Sequence, residues 1–110
     1  MTEVLYLPEV RTYFKDVTQI LYQKGYFGFK ESAKKYVQEL FNEIDLALPH
    51  KQKRKAPAYF SRYGDDLYYA GFRKNNNTQW YVFFTIHKGK DNKIYLVRYI
   101  GNNHTISQYL

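Results

Sequence analysis

The sequence predicts one α+β domain in which a short strand and an antiparallel two-helix hairpin precede an antiparallel β-meander. Apolar residues recur at helical spacing up to Leu48, and beyond Pro57 the period becomes two. The charge divides at the same place. Residues 1–48 carry six basic and seven acidic residues, whereas residues 49–110 carry eleven basic residues against Asp65, Asp66 and Asp91. The whole net charge of +7 therefore belongs to the second part. The 110 residues suit a single domain, with 1–48 forming the strand and hairpin and 56–110 the sheet.

Val4-Leu5-Tyr6-Leu7 is a short apolar run and reads as the first strand. Pro8 suits a first helical position, where its missing N–H has no partner to lose, and Glu9 complements the helix dipole. Val10, Phe14, Val17 and Leu21 then form a stripe, widened by Tyr13 and Ile20 and ended by Gly25 and Gly28. A second helix places Ala33, Val37, Leu40 and Ile44 on one face, and Pro49 terminates it because the residue before proline disfavours the α region. The short connection makes the pair an antiparallel hairpin. His50 to Lys55 is a basic linker. Tyr59–Arg62, Leu67–Lys74, Gln79–His87 and Ile94–Ile100 alternate as four strands rich in Tyr, Phe, Val and Ile. Gly64-Asp65, Asn75-Asn76-Asn77 and Gly89-Lys90-Asp91-Asn92 supply the turns, and links this short require antiparallel neighbours. One sheet face must cover the helical stripe and the other is left partly open. The C-terminal Ser, Gln, Tyr and Leu fit a helical turn or an extended tail.

The absence of cysteine excludes a disulfide scaffold, a thiolate nucleophile and any cysteine-ligated metal. The start, Met1-Thr2-Glu3-Val4, has no basic region leading into an apolar run, and no stretch approaches the roughly 18 apolar residues of a membrane span. A cytoplasmic location away from any membrane is expected. His50, His87 and His104 lack metal-ligand spacing, and no phosphate loop, nucleophile elbow or paired-carboxylate motif occurs, so no cofactor is expected.

Charge this concentrated favours a polyanionic partner, either nucleic acid or an acidic protein. Lys51, Lys53, Arg54 and Lys55 cluster between helix and strand, where they suit phosphates and equally suit a solvated loop beside a helix C-terminus. Arg62, Arg73 and Arg98 sit among strand aromatics. Alternation puts Arg73 with Tyr69 and Gly71, and Arg98 with Leu96 and Ile100. An unpaired buried arginine is costly, so each is expected at an open face or strand end. Arginine beside aromatics stacks unpaired bases and clamps phosphate, although cation–π packing alone also explains it. His104, after Gly101-Asn102-Asn103, is the candidate general acid or base, since imidazole ordinarily titrates near neutrality. Most of the thirteen tyrosines need no more explanation than a half-wet sheet.

A strand opening on a proline-started helix, a helical hairpin, a basic junction and a meander together resemble the RelE/ParE superfamily of toxins. Ile94 to His104 resembles the family's last strand, and Tyr63-Gly64-Asp65 its turn at that place. The resemblance implies a type II toxin, in one branch a ribosome-dependent mRNA endoribonuclease, partnered by an acidic antitoxin. It implies that Lys51, Lys53 and Arg54 bind RNA; Lys55 of the same linker and the strand residue Arg62 are further nucleic-acid-binding candidates. Arg73 and Arg98 would stabilise phosphate charge, and His104 would move the proton. ParE-like members instead poison gyrase. The longer Asn75–Thr78 and Gly89–Asn92 hairpins and the sparse C-terminal basic residues depart from the family pattern. The class-distinct alternative is a non-catalytic module that binds RNA or an acidic protein.

Overall fold

The computed structural model describes residues 1–25 and 27–110. Strand β1 (Thr2–Tyr6) leads into helix α1 (Pro8–Gln23), and α2 (Lys30–Ala47) follows. Short β2 (Arg54–Lys55) precedes a 3-10 turn, Ala58–Tyr63, and the long strands β3 (Tyr68–Asn75), β4 (Thr78–Lys88) and β5 (Lys93–Asn102). A helical turn, α3 (Asn103–Ile106), and a 3-10 turn, Ser107–Tyr109, finish the chain. The five strands form one sheet in the order β1-β5-β4-β3-β2, antiparallel except for β1, which runs parallel to β5. The α+β class and the strand–hairpin–meander order are those the sequence predicts. No helix among the described residues is long and apolar enough to cross a membrane.

Pro8 opens α1 as its missing N–H predicts, and the Leu7 N–H just before it donates to Val97 O at 3.0 Å, tying the helix start to β5. Gly25 follows α1 at φ 77°, in the left-handed region that glycine occupies without a Cβ penalty. Most of the predicted stripe is buried: Val10, Phe14 and Val17 from α1 meet Val37, Leu40 and Ile44 from α2 over Ala70, Phe72, Val82, Phe84 and Val97 of the sheet, with Tyr13 and Leu21 partly buried against them, while Ile20 is exposed. Phe41 fills the helix–strand corner, stacked 4.8 Å from Tyr6 and edge-on to Phe14 at 5.4 Å. The indole N–H of buried Trp80 donates to Tyr36 Oη at 3.0 Å, which satisfies its one polar atom.

The second sheet face departs from expectation. Tyr59–Arg62 is not a strand but part of the 3-10 turn, because the edge position on β3 is already taken. Arg54 and Lys55, from the predicted linker, pair there with Tyr69 and Tyr68. Lysine and arginine suit an exposed edge, where their charge blocks further strand pairing. The 3-10 turn then lies across the sheet and drives Phe60 into a second core with Leu67, Phe83 and Ile106. The C-terminal segment folds back as helical turns rather than a tail and contributes Ile106. The face predicted to be partly open is therefore roofed along its middle, and what remains accessible is a set of clefts around that roof.

Candidate functional site

The alternation of β5 breaks at one residue. Phe83 of β4 pairs with Tyr99 while Phe84 pairs with Val97, so Arg98 has no residue opposite it. Such a bulge inserts one side chain and shifts the parity of all that follow. Tyr95 and Val97 before it and Ile100 after it all belong to the helix-side core. Arg98 is left on the other face, with Leu96 as alternation predicts but without Ile100. There its Nε donates to Thr85 Oγ1 at 2.9 Å. Thr85 Oγ1 also lies 2.8 Å from His87 Nε2, two residues along β4 on the same face. Thr85 is 5% exposed and is the one buried polar side chain among the described residues. A hydroxyl that is buried yet bonded on both sides holds its neighbours in place.

These three residues line a cleft of about 1050 Å³. It exists because β3 begins only at Tyr68, opposite Phe84, so residues 85–88 of β4 lack a neighbour on that side. Lys53, Lys88 and Lys93 line it with Arg98, against Asp65 and Asp66. Four cations against two carboxylates leave the cleft positive. Only two ion pairs form among the described residues, Lys34–Glu31 and Lys74–Glu43, so Arg98 has no carboxylate partner for its terminal amino groups. Terminal N–H groups of this kind can pair with a carboxylate or a phosphate. Gly64 at φ 154° closes the wall: a Cβ there would lie 3.0 Å from Arg98 Cδ and 3.3 Å from its Nε. A residue with a Cβ at position 64 is strained by that φ and makes the Arg98 side chain give way by a few tenths of an ångström.

The remaining predicted residues are dispersed. Lys53 Nζ stands 5.6 Å from the Tyr68 ring centre at the main cleft, and Lys51 Nζ stands 4.7 Å from that of Phe72. Lys51 and Arg54 border another cleft, of about 450 Å³, with Tyr69 and Tyr81. Lys55 occupies the exposed β2 edge. Arg62 lies over both Tyr59 and Tyr63, 5.1 and 5.0 Å from their ring centres. Arg73 is fixed at the β3–β4 turn, where its Nε donates to Asn75 O at 3.2 Å and its Nη2 to Asn76 Oδ1 at 3.2 Å. His104 is exposed in the first turn of α3, with its N–H capped by Asn102 Oδ1 at 2.9 Å. Arg98 and His104 are thus not brought together, since about 13 Å of strand separates residue 98 from residue 102 alone. Arg73 keeps to the His104 end. Sequence reasoning passed over His87 and Thr85, although their i, i+2 spacing on a strand puts both on one face.

Two phenols beside Arg98 are also perturbed. Tyr99 stacks on Tyr63 at 4.2 Å and is pushed up to about 12, first by burial and then by its neighbours Tyr63 and Tyr13. Burial raises Tyr13 as well. Both keep their hydrogens at neutral pH. Comparison with protein-family models, curated proteins and solved structures finds no match to this chain.

Proposed function

We propose that this chain is a RelE/ParE-like toxin that cuts mRNA, with the scissile phosphate seated on Arg98 in the cleft beside His87. The observation that carries the reading is the Arg98–Thr85–His87 chain, which places an unpaired guanidinium and an imidazole on one buried hydroxyl. The element order, from proline-started helix to late-strand arginine, supports it further.

The chemistry needs a cation on the phosphate, an acceptor for the 2′-hydroxyl proton and a donor for the departing oxygen. Thr85 Oγ1 has two lone pairs, one for Arg98 Nε–H and, in the imidazole tautomer protonated at Nε2 that this chemistry requires, one for His87 Nε2–H. In that tautomer His87 Nδ1 carries the free lone pair and takes the 2′-hydroxyl proton. The 2′-oxygen bonds to phosphorus and the P–O5′ bond breaks, leaving a 2′,3′-cyclic phosphate. The 5′-oxygen collects its proton from an ammonium group of the cleft, for which Lys53 is the candidate. Lys51 and Arg54 extend the positive surface along the flanking backbone, and an acidic antitoxin is the partner that would cover it.

The test is induced expression followed by mapping of mRNA 5′ ends with and without ribosomes. Growth arrest with new 5′-hydroxyl ends, both abolished in Arg98→Ala, is the expected result. Arrest with intact mRNA and inhibited gyrase replaces this reading with the ParE-like one, and harmless high expression removes the toxin reading altogether. Binding gives a separate measure. Neutralising Lys51, Lys53 and Arg54 together should flatten the slope of log K against log salt by about 0.7 for each phosphate of single-stranded RNA that is no longer neutralised. An unchanged slope excludes these three residues from the interface.

A further inference from the structure

Arg98 borders a second cavity as well. It occupies about 450 Å³ at the free edge of β5, beyond the end of β1, where α1 and the 3-10 turn approach from either side. Its lining includes Glu9, Tyr13, Arg62, Tyr63 and Tyr99 along with Arg98. The stacked Tyr63–Tyr99 pair gives it an aromatic wall, and Arg62 over Tyr63 extends that wall toward solvent. None of these features is needed to hold a phosphate. A cation shared between a polar cleft and an aromatic cavity suits a nucleotide, with phosphate on one side and base on the other.

Resting on the phosphate reading of Arg98, we infer that this cavity is a base-recognition subsite selecting guanine in single-stranded RNA. The selecting group is Glu9. An ionised carboxylate only accepts hydrogen bonds, so it favours the base whose Watson–Crick edge presents the most donors side by side. Guanine presents N1–H and N2–H₂ together, whereas adenine, cytosine and uracil each present a single donor-bearing nitrogen there. Glu9 forms no ion pair among the described residues, so its carboxylate is not committed elsewhere. Tyr13, still a phenol at neutral pH, supplies a donor for a base oxygen or nitrogen, and the aromatic wall takes the base face.

The probes are the pentanucleotides UUGUU, UUAUU, UUCUU and UUUUU, 2′-O-methylated throughout so that they cannot be cut, measured by fluorescence anisotropy at low salt. Wild type is expected to bind UUGUU about tenfold more tightly than the others, within the range of one bidentate base contact. Glu9→Ala should erase that ratio; Glu9 is exposed in the first helical turn, so the variant keeps its fold, checked by circular dichroism. If binding depends on Arg98 but shows no base preference, or Glu9→Ala keeps the preference, the guanine subsite is overturned and the phosphate reading stands. If no oligonucleotide binds, or Arg98→Ala binds all four as wild type does, the phosphate reading fails and the subsite fails with it.

Discussion

His87→Gln is expected to slow RNA cleavage by about 10²–10⁴-fold while RNA affinity stays close to that of wild type. Glutamine keeps a side-chain amide to meet Thr85 but cannot accept and release a proton near neutral pH, so the loss falls on the transition state. Single-turnover cleavage of ribosome-bound mRNA measures it, with binding followed separately. His104→Gln is the paired control at the other end of β5, and its rate should stay within a few-fold of wild type. The reverse outcome, a slow His104 variant and a fast His87 variant, moves the proton transfer to the α3 end. Thr85→Val tests the hydroxyl as a positioning residue, since it removes both hydrogen bonds but leaves the cation and the imidazole. A lowered rate with a shifted pH profile is its signature.

Phe60→Ala should destabilise the fold by about 3–5 kcal/mol, the range for a buried phenylalanine whose cavity collapses poorly. Phe60 is fully buried and packs 4.4 Å from Phe83 and 4.9 Å from Tyr59, measured between ring centres. Domains are stable by only about 5–15 kcal/mol, so the urea midpoint should fall sharply. An unmoved midpoint means the second core does not hold the 3-10 turn. The same substitution tests the link from packing to the site, because that turn carries Arg62, Tyr63 and the approach to Gly64. RNA binding by the still-folded fraction is expected to weaken although residue 60 touches no ligand.

The helical hairpin and the three long strands were legible because each has a period repeated often enough to outweigh local ambiguity. Tyr59–Arg62 misled for the opposite reason. Four residues of Tyr, Phe, Ser and Arg carry strand propensity, but a run so short fixes no period, and competition for the β3 edge decided it. The bulge left a readable trace. Inward apolar residues fall at Tyr95, Val97 and Ile100, a spacing of two followed by three, and that break is the parity shift. What no periodicity encodes is which strands end early. The main cleft exists because β3 starts one residue short of Thr85's partner position, and the aromatic cavity because β1 stops opposite Val97. Both depend on register, which only the assembled sheet defines.

The parallel pairing of β1 with β5 also governs when the protein can be complete during its own synthesis. Thr2 pairs with Lys93 and Tyr6 with Val97, so the first strand made waits about ninety residues for its neighbour. Such distant closure carries a loop-entropy cost before any contact rewards it and belongs to the slow class of folding topologies. The helical hairpin, built from local contacts, can form on the ribosome well before that. Arg98 lies on the last strand to emerge, its Thr85 partner precedes it by thirteen residues, and the Leu7–Val97 bond that anchors α1 waits for the same strand. A nascent chain that has not released β5 therefore carries neither Arg98 and its hydrogen bond to Thr85 nor the edge that anchors α1.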